Sequence, residues 1–224
     1  MATYDTTNQP PPFENINLYT ANPSLTRAVA AFGGAAGGAA LKAYGEWAGS
    51  AATIASGRLA NANPPRLIGV DQRGNRRDEV MFHPAYHGFM AHGFAHGVHC
   101  SGYAPGGGPA GDGAQVVRSA RINMLSQVEA GHVCPLTMTH AAIPALADEA
   151  AGTPAAERWL SRIFSREYDA RLAPAATKTG VSLGMGMTEN QGGTDVRAND
   201  TSARKAGDAY VIDGQKWFMS APMC

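Results

Sequence analysis

The feature that most constrains this chain is a change of grammar at Pro174. Before it, apolar and small residues recur at helical spacing. After it, short apolar stretches are separated by Gly-containing turns. Helices first and strands second imply an α+β fold. We place a mainly helical N-terminal domain over residues 1–173 and the beginning of an antiparallel β domain over 174–224. With 224 residues, 44% of them hydrophobic, the chain can bury a substantial core.

Within the helical part, residues 1–20 are Pro- and Asn-rich and read as an extended leader. Asn22-Pro23 is a helix start, because Asn caps free amides and Pro is tolerated at the first helical position. That helix should end at Gly33-Gly34. A second is expected from about Ala39 to Ala60, before Asn63-Pro64-Pro65. Leu67–Val70 and Val80–Phe82 flank a charged turn and suggest a small hairpin. Helical patterning returns from Pro84 to about Cys100, and residues 104–113 form a Pro/Gly-rich loop. A long amphipathic segment runs from Ala114 to His132, is interrupted at Pro135 and restarts over Thr137–Ala147. A short helix follows over Ala155–Phe164. Small residues are frequent in these helices and permit close axial approach.

Past Pro174, Gly180–Met187 reads as a strand. Ala209–Ile212 and Gln215–Phe218 read as a hairpin across Asp213-Gly214, a dipeptide that tolerates positive φ.

Composition narrows the function classes. Charged residues are 16% and the formal net charge is +0, so there is no electrostatic footprint for nucleic acid. The start, Met1 to Asn8, lacks the basic and apolar regions of a signal peptide. No apolar run approaches the roughly 18 residues of a transmembrane helix. Cys100, Cys134 and Cys224 are few and odd in number, which argues against a disulfide framework. A soluble cytoplasmic protein with reduced thiols and no membrane partner is expected.

The densest chemistry lies in Gly184–Asp195, which sets glycines, the hydroxyls of Thr188 and Thr194, and the carboxylates of Glu189 and Asp195 into one loop. Lys216-Trp217-Phe218-Met219-Ser220 adds an aromatic and a hydroxyl. A flat, polar-edged cofactor needs close backbone approach, hydroxyl donors and an aromatic wall. Gly184-x-Gly186 is not a dinucleotide fingerprint, since the third glycine and the following helix are missing. Taken alone, the loop reads first as a Gly-rich hairpin loop of a β domain.

His83, His87, His92, His96, His99 and Cys100 lie on or beside one helical segment at spacings that could place imidazoles on a common face. No carboxylate lies among them, and Gly88, Gly93 and Gly97 would loosen any ligand geometry. A polar, partly exposed helix face is the expected reading, with no metal ligands assigned. Cys134 beside His132 is not a catalytic pair, since residues two apart do not face each other on a helix; helix packing near a substrate cavity is expected for it.

Met187-Thr188-Glu189 with Gly193-Thr194-Asp195, followed by Lys216-Trp217 and Ser220, resembles the flavin-binding signature of the acyl-CoA dehydrogenase family. Further segments resemble its AidB branch, proteins of the adaptive response to alkylation. These are Asn17–Tyr19, Gly57–Pro65, Phe82–His87, Gln127–Gly131 and Cys134–Thr139. The matches run in one order over nearly the whole chain.

The resemblance implies a helical N-terminal domain, a middle β domain and a C-terminal helical bundle, the last absent from this chain. It implies FAD as cofactor, lying between the β domain and that bundle. Met185, Gly186, Met187, Thr188, Glu189, Asn190, Gln191, Gly192, Gly193 and Thr194 would form the loop touching the flavin, and Trp217, Phe218, Met219 and Ser220 would pass beside it. Thr188 is expected to bond the ring edge. Thr194 stands where many relatives have Ser, a chemically equivalent hydroxyl. In the family a carboxylate from the C-terminal bundle removes a proton α to an acyl-CoA thioester while hydride leaves the β carbon for the flavin. No catalytic residue is therefore assigned here, since neither Glu129 nor Glu189 matches that base. The expectation is a fragment of an oxidoreductase on CH–CH groups, inactive alone, with an acyl-CoA-like ligand and a tetramer for the full-length family. The competing expectations are a non-enzymatic alkylation-stress protein that binds or protects DNA, through a basic C-terminal region this chain lacks, and a truncated product without function.

Overall fold

The computed structural model describes residues 8–149 and 152–223. Helix α1 (Pro23–Ala31) begins as expected, with the Asn22 side chain accepting from the Leu25 amide at 3.1 Å. It stops before Gly33, whose φ is +85°. The expected long helix is instead two, α2 (Gly38–Ala48) and α3 (Ala51–Ala62). Two neighbouring residues cause the break. Ser50 turns extended, and its hydroxyl accepts from the Thr53 amide to cap α3. Gly49 lies so close to the leader that a Cβ there would stand 1.8 Å from the Ile16 carbonyl oxygen. That approach lets Ile16 and Leu18 donate to the carbonyls of Gly49 and Gly45, at 3.2 and 3.0 Å. The stretch entering α1 is thereby tied to α2.

Strands β1 (Arg66–Val70) and β2 (Arg76–Met81) form the expected hairpin, antiparallel from Arg66↔Met81, with a bulge between Ile68 and Val70. Helix α4 (Pro84–Ala95) is capped by His83 Nδ1 and ends earlier than expected, because Gly97 adopts φ +63°. Helix α5 (Ala114–Ser126) also stops short of His132. Glu129 bends the chain there, its carboxylate accepting from the amides of Gly131 and His132 at 2.7 and 2.9 Å. Pro135 does not interrupt a helix: it sits in the first turn of α6 (Val133–Pro144), where its missing N–H is no loss. A wide turn, Ala145–Glu149, follows Pro144. Helix α7 (Pro154–Ile163) is capped by Thr153.

The main core joins α1 to α6 around Leu41, Tyr44, Phe89, Met90, Phe94, Met124, Leu125 and Leu136. A second cluster of Cys100, Ile143, Ile163 and Val181 receives Leu183 at its edge. The Leu183 amide also donates to the Thr139 hydroxyl at 2.9 Å. These contacts anchor the segment after Pro174 on α6 and α7.

Beyond that anchor two expectations fail. Residues 180–187 form no strand ladder; Met185 makes one isolated antiparallel bridge to Ser220. The hairpin uses β3 (Ser202–Ala206) and β4 (Ala209–Asp213), turning at Gly207-Asp208 rather than Asp213-Gly214. Gly207 supplies the positive φ of +63°, whereas Gly214 is held in an extended arc against Thr201. Gln215–Phe218 belongs to no strand. Among the described residues no helix is long and apolar enough to cross a membrane.

Candidate functional site

The two segments singled out in the sequence lie side by side. Met185 and Ser220 exchange backbone hydrogen bonds at 3.1 and 2.9 Å, and the Trp217 amide donates to the Thr188 carbonyl at 2.7 Å. Close packing at Gly186 supports this pairing, since a Cβ there would stand 2.7 Å from Met219 Sδ. Residues Thr188–Asp195 with Trp217 and Phe218 line an open cavity of about 610 Å³. Of the other expected site residues, Met185, Gly186, Met187, Met219 and Ser220 flank that cavity without lining it.

The loop is shaped by bonds within itself. The Glu189 amide donates to the Gly192 carbonyl at 2.7 Å, closing the turn over Asn190 and Gln191. The Glu189 side chain turns inward and is 5% exposed. Its carboxylate accepts from Lys216 Nζ and the Asp200 amide, both at 2.6 Å, from the Thr201 amide at 3.1 Å and hydroxyl, and from Gln191 Nε2 at 2.8 Å. The Lys216 ammonium, then the Thr201 hydroxyl and the two amides, hold this carboxyl well below the usual range. Asn199 Nδ2 and Lys216 Nζ both reach the Met187 carbonyl, at 2.7 and 3.3 Å. Asp195 caps the short turn Val196–Ala198.

Asn199, Thr201 and Lys216 were not among the expected site residues. The legible signal for Lys216 was its opposite charge to Glu189 in the partner motif. Asn199 and Thr201 lie in a stretch with no pattern of its own.

What faces outward is a different set. Trp217 is 47% exposed and Phe218 is 75% exposed, with φ +52° at Phe218. The Thr188 and Thr194 hydroxyls have no hydrogen-bond partner among the described residues. Exposed aromatics beside unpaired hydroxyls and the exposed Gly193 backbone form a surface that fits the planar, polar-edged group the resemblance implies.

The histidines do something else. His83, His87, His92 and His96 are half-buried, as a polar, partly exposed face requires, while His99 is buried. The rings also pack, His92 on Trp47 at 3.4 Å between centroids and on His96 at 4.2 Å, and His99 on Phe94 at 3.9 Å. His87 Nδ1 meets the Tyr168 hydroxyl at 2.9 Å. Burial, joined for His92 by the nearby His96, His132 and Arg121, pushes His92 and His99 down to about 4. His132 is fully buried and bonds Glu129 at 2.6 Å. Cys134 is exposed at the start of α6, so it does not serve helix packing. A larger cavity of about 690 Å³ lies between β2, α4 and residues 168–182, and shares no lining residue with the 184–195 loop or Trp217–Ser220.

Comparison with known proteins identifies these features. Residues 8–170 match the family model described as "Adaptive response protein AidB N-terminal domain". AidB of Escherichia coli (strain K12), assigned by name to the acyl-CoA dehydrogenases, is 41% identical over 222 residues, 98% of this chain and 40% of that protein. In fold, the chain is similar to Caenorhabditis elegans ACDH-11, crystallised in complex with C11-CoA (TM-score 0.72, 24% identity, covering 97% of this chain and 36% of that one). It is also similar to a structure titled "Bd2924 apo-form" (TM-score 0.67, 21% identity, 93% and 41% covered). The chain thus spans about two fifths of the curated relative it matches, and it belongs to the AidB-like branch of the acyl-CoA dehydrogenase family, of which it carries an N-terminal part.

Proposed function

We propose that Met185–Thr194 and Trp217–Ser220 form one wall of an FAD pocket in an AidB-like flavoprotein acting on CH–CH bonds of acyl thioesters. The observation that carries this reading is the direct pairing of the two signature segments, Met185 with Ser220 and Thr188 with Trp217. When bound, FAD would supply the acceptor for a hydride. The chain's own residues orient and bind: the hydroxyls of Thr188 and Thr194 and the backbone of Gly193 offer hydrogen bonds, and Trp217 offers an aromatic surface. None of them is placed to take a substrate proton. Glu189 is fully engaged, with its carboxyl held low, so it serves as an acceptor hub rather than a base. The reading assigns catalysis of proton removal to residues outside this set. An acyl-CoA-like ligand is supported by the C11-CoA in the fold relative. The division near residue 173 follows from the same reading, with helices before it and the cofactor wall after it.

A titration of the 224-residue chain with FAD, followed by flavin fluorescence, tests this. One open wall should give saturable binding weaker than about 1 μM. Thr188→Ala and Trp217→Ala should each weaken it roughly tenfold. Absence of saturable binding, or variants that bind as the parent does, would sink the proposal.

A further inference from the structure

We propose that Glu189 and Lys216 are a positioning pair that sets the shape and spacing of the two segments of the cofactor wall, a role that rests on the flavin reading above. Three pieces of chain meet at one carboxylate: the loop that carries Glu189, the turn at Asp200-Thr201, and the segment entering Trp217. Each of its bonds fixes something different. The amides of Asp200 and Thr201 fix where the chain leaves the loop. Lys216 fixes where it returns, and its ammonium also holds the Met187 carbonyl beside Asn199. Gln191 is bound from within, which keeps the turn over Asn190 closed.

A carboxylate is suited to this junction because it is acceptor-only, with about four lone-pair sites. Every group facing it here is a donor. Gln at this position would keep one carbonyl oxygen and turn an NH₂ toward donors, leaving part-buried amides unpaired. The consequence reaches the outward face without touching it: Thr188 immediately precedes Glu189 and Trp217 immediately follows Lys216, and these two are bonded to each other. Lys216 therefore sets the distance between the hydroxyl side and the aromatic side of the wall, while its own side chain stays on the inner side. Lysine can be replaced by another long cation, whereas the acceptor hub cannot be replaced by an amide.

The test uses the 224-residue chain and three variants, Glu189→Gln, Lys216→Met and Lys216→Arg. FAD affinity is measured by flavin fluorescence, and amide exchange over residues 185–220 and thermal unfolding by circular dichroism are followed in parallel. Glu189→Gln should weaken FAD about tenfold or more and speed exchange at the amides of Asp200, Thr201 and Trp217, with the helical transition unmoved. Lys216→Met should lose part of the affinity, and Lys216→Arg should retain it. Faster exchange with unchanged affinity would overturn the positioning role, as would unchanged exchange or a helical transition that collapses with the variant. If the parent chain itself fails to bind FAD, the flavin reading falls, and with it the positioning role; the exchange data then report only whether the carboxylate organises this loop.

Discussion

Burial decides the charge of three imidazoles in this protein. His92, His99 and His140 are each pushed down to about 4, by desolvation first and for His140 by the neighbouring Arg118 as well. Their ordinary value is 6.5, so the unfolded chain takes up these protons before the folded chain does. Stability is therefore full above about pH 7 and falls as the pH drops from 6.5 toward 4. Glu189 and Asp169 act in the next window. Their folded values lie below the ordinary carboxylate range, so their contribution is present above it and is lost as the pH falls further. Urea midpoints taken from pH 8 to pH 3 should be level, then decline through the histidine window and further as the lowered carboxylates titrate; a level curve down to pH 5 would contradict the burial of these rings. The sequence showed that histidines cluster here but not that they stack on Trp47 and Phe94, because ring stacking depends on which helix crosses which. It showed the pair of site motifs for a simpler reason: residues such as Thr188 and Trp217 stand in short, fixed-spacing strings.

At the scale of elements, two kinds of local event shape the fold: caps and close approaches. Ser50→Ala removes the hydroxyl that caps α3 and should cost about 1 kcal/mol of unfolding free energy in urea. Gly49→Ala forces a Cβ into the Ile16 carbonyl and should cost more, about 3 kcal/mol. The order of these two losses is the decisive result. Helix starts were legible because Asn22-Pro23 and Pro84 carry their chemistry locally. The break at Gly49-Ser50 was legible only in the local Ser50 cap on the Thr53 amide; the close approach at Gly49 depends on a leader segment far away in sequence. Pro135 misled for a related reason: a proline reads as a stop unless the helix is known to begin just before it. The β3–β4 hairpin was misplaced because Ser202–Ala206 has no apolar alternation, both faces being exposed, so Asp213-Gly214 looked like the better turn.

The whole molecule is uneven. A densely packed helical body carries a hairpin whose residues are all exposed, including Tyr210 at 66% and Ile212 at 70%. Hydrogen exchange should follow that division, with β3–β4 amides exchanging orders of magnitude faster than those of α2, α4 and α5. Equal protection in both would contradict the full exposure of these strands. The candidate wall sits between these extremes, held to the helical body through Val181 and Leu183 and shaped inside by Glu189. One contact in the dense body has an optical consequence. Trp47 lies nearly parallel to His92, 10° between planes, and a protonated imidazole in that position withdraws excitation from an indole. The emission of Trp47 should dim as His92 takes its proton, so the protein carries a built-in fluorescent gauge of whether its helical interior has let the acid in.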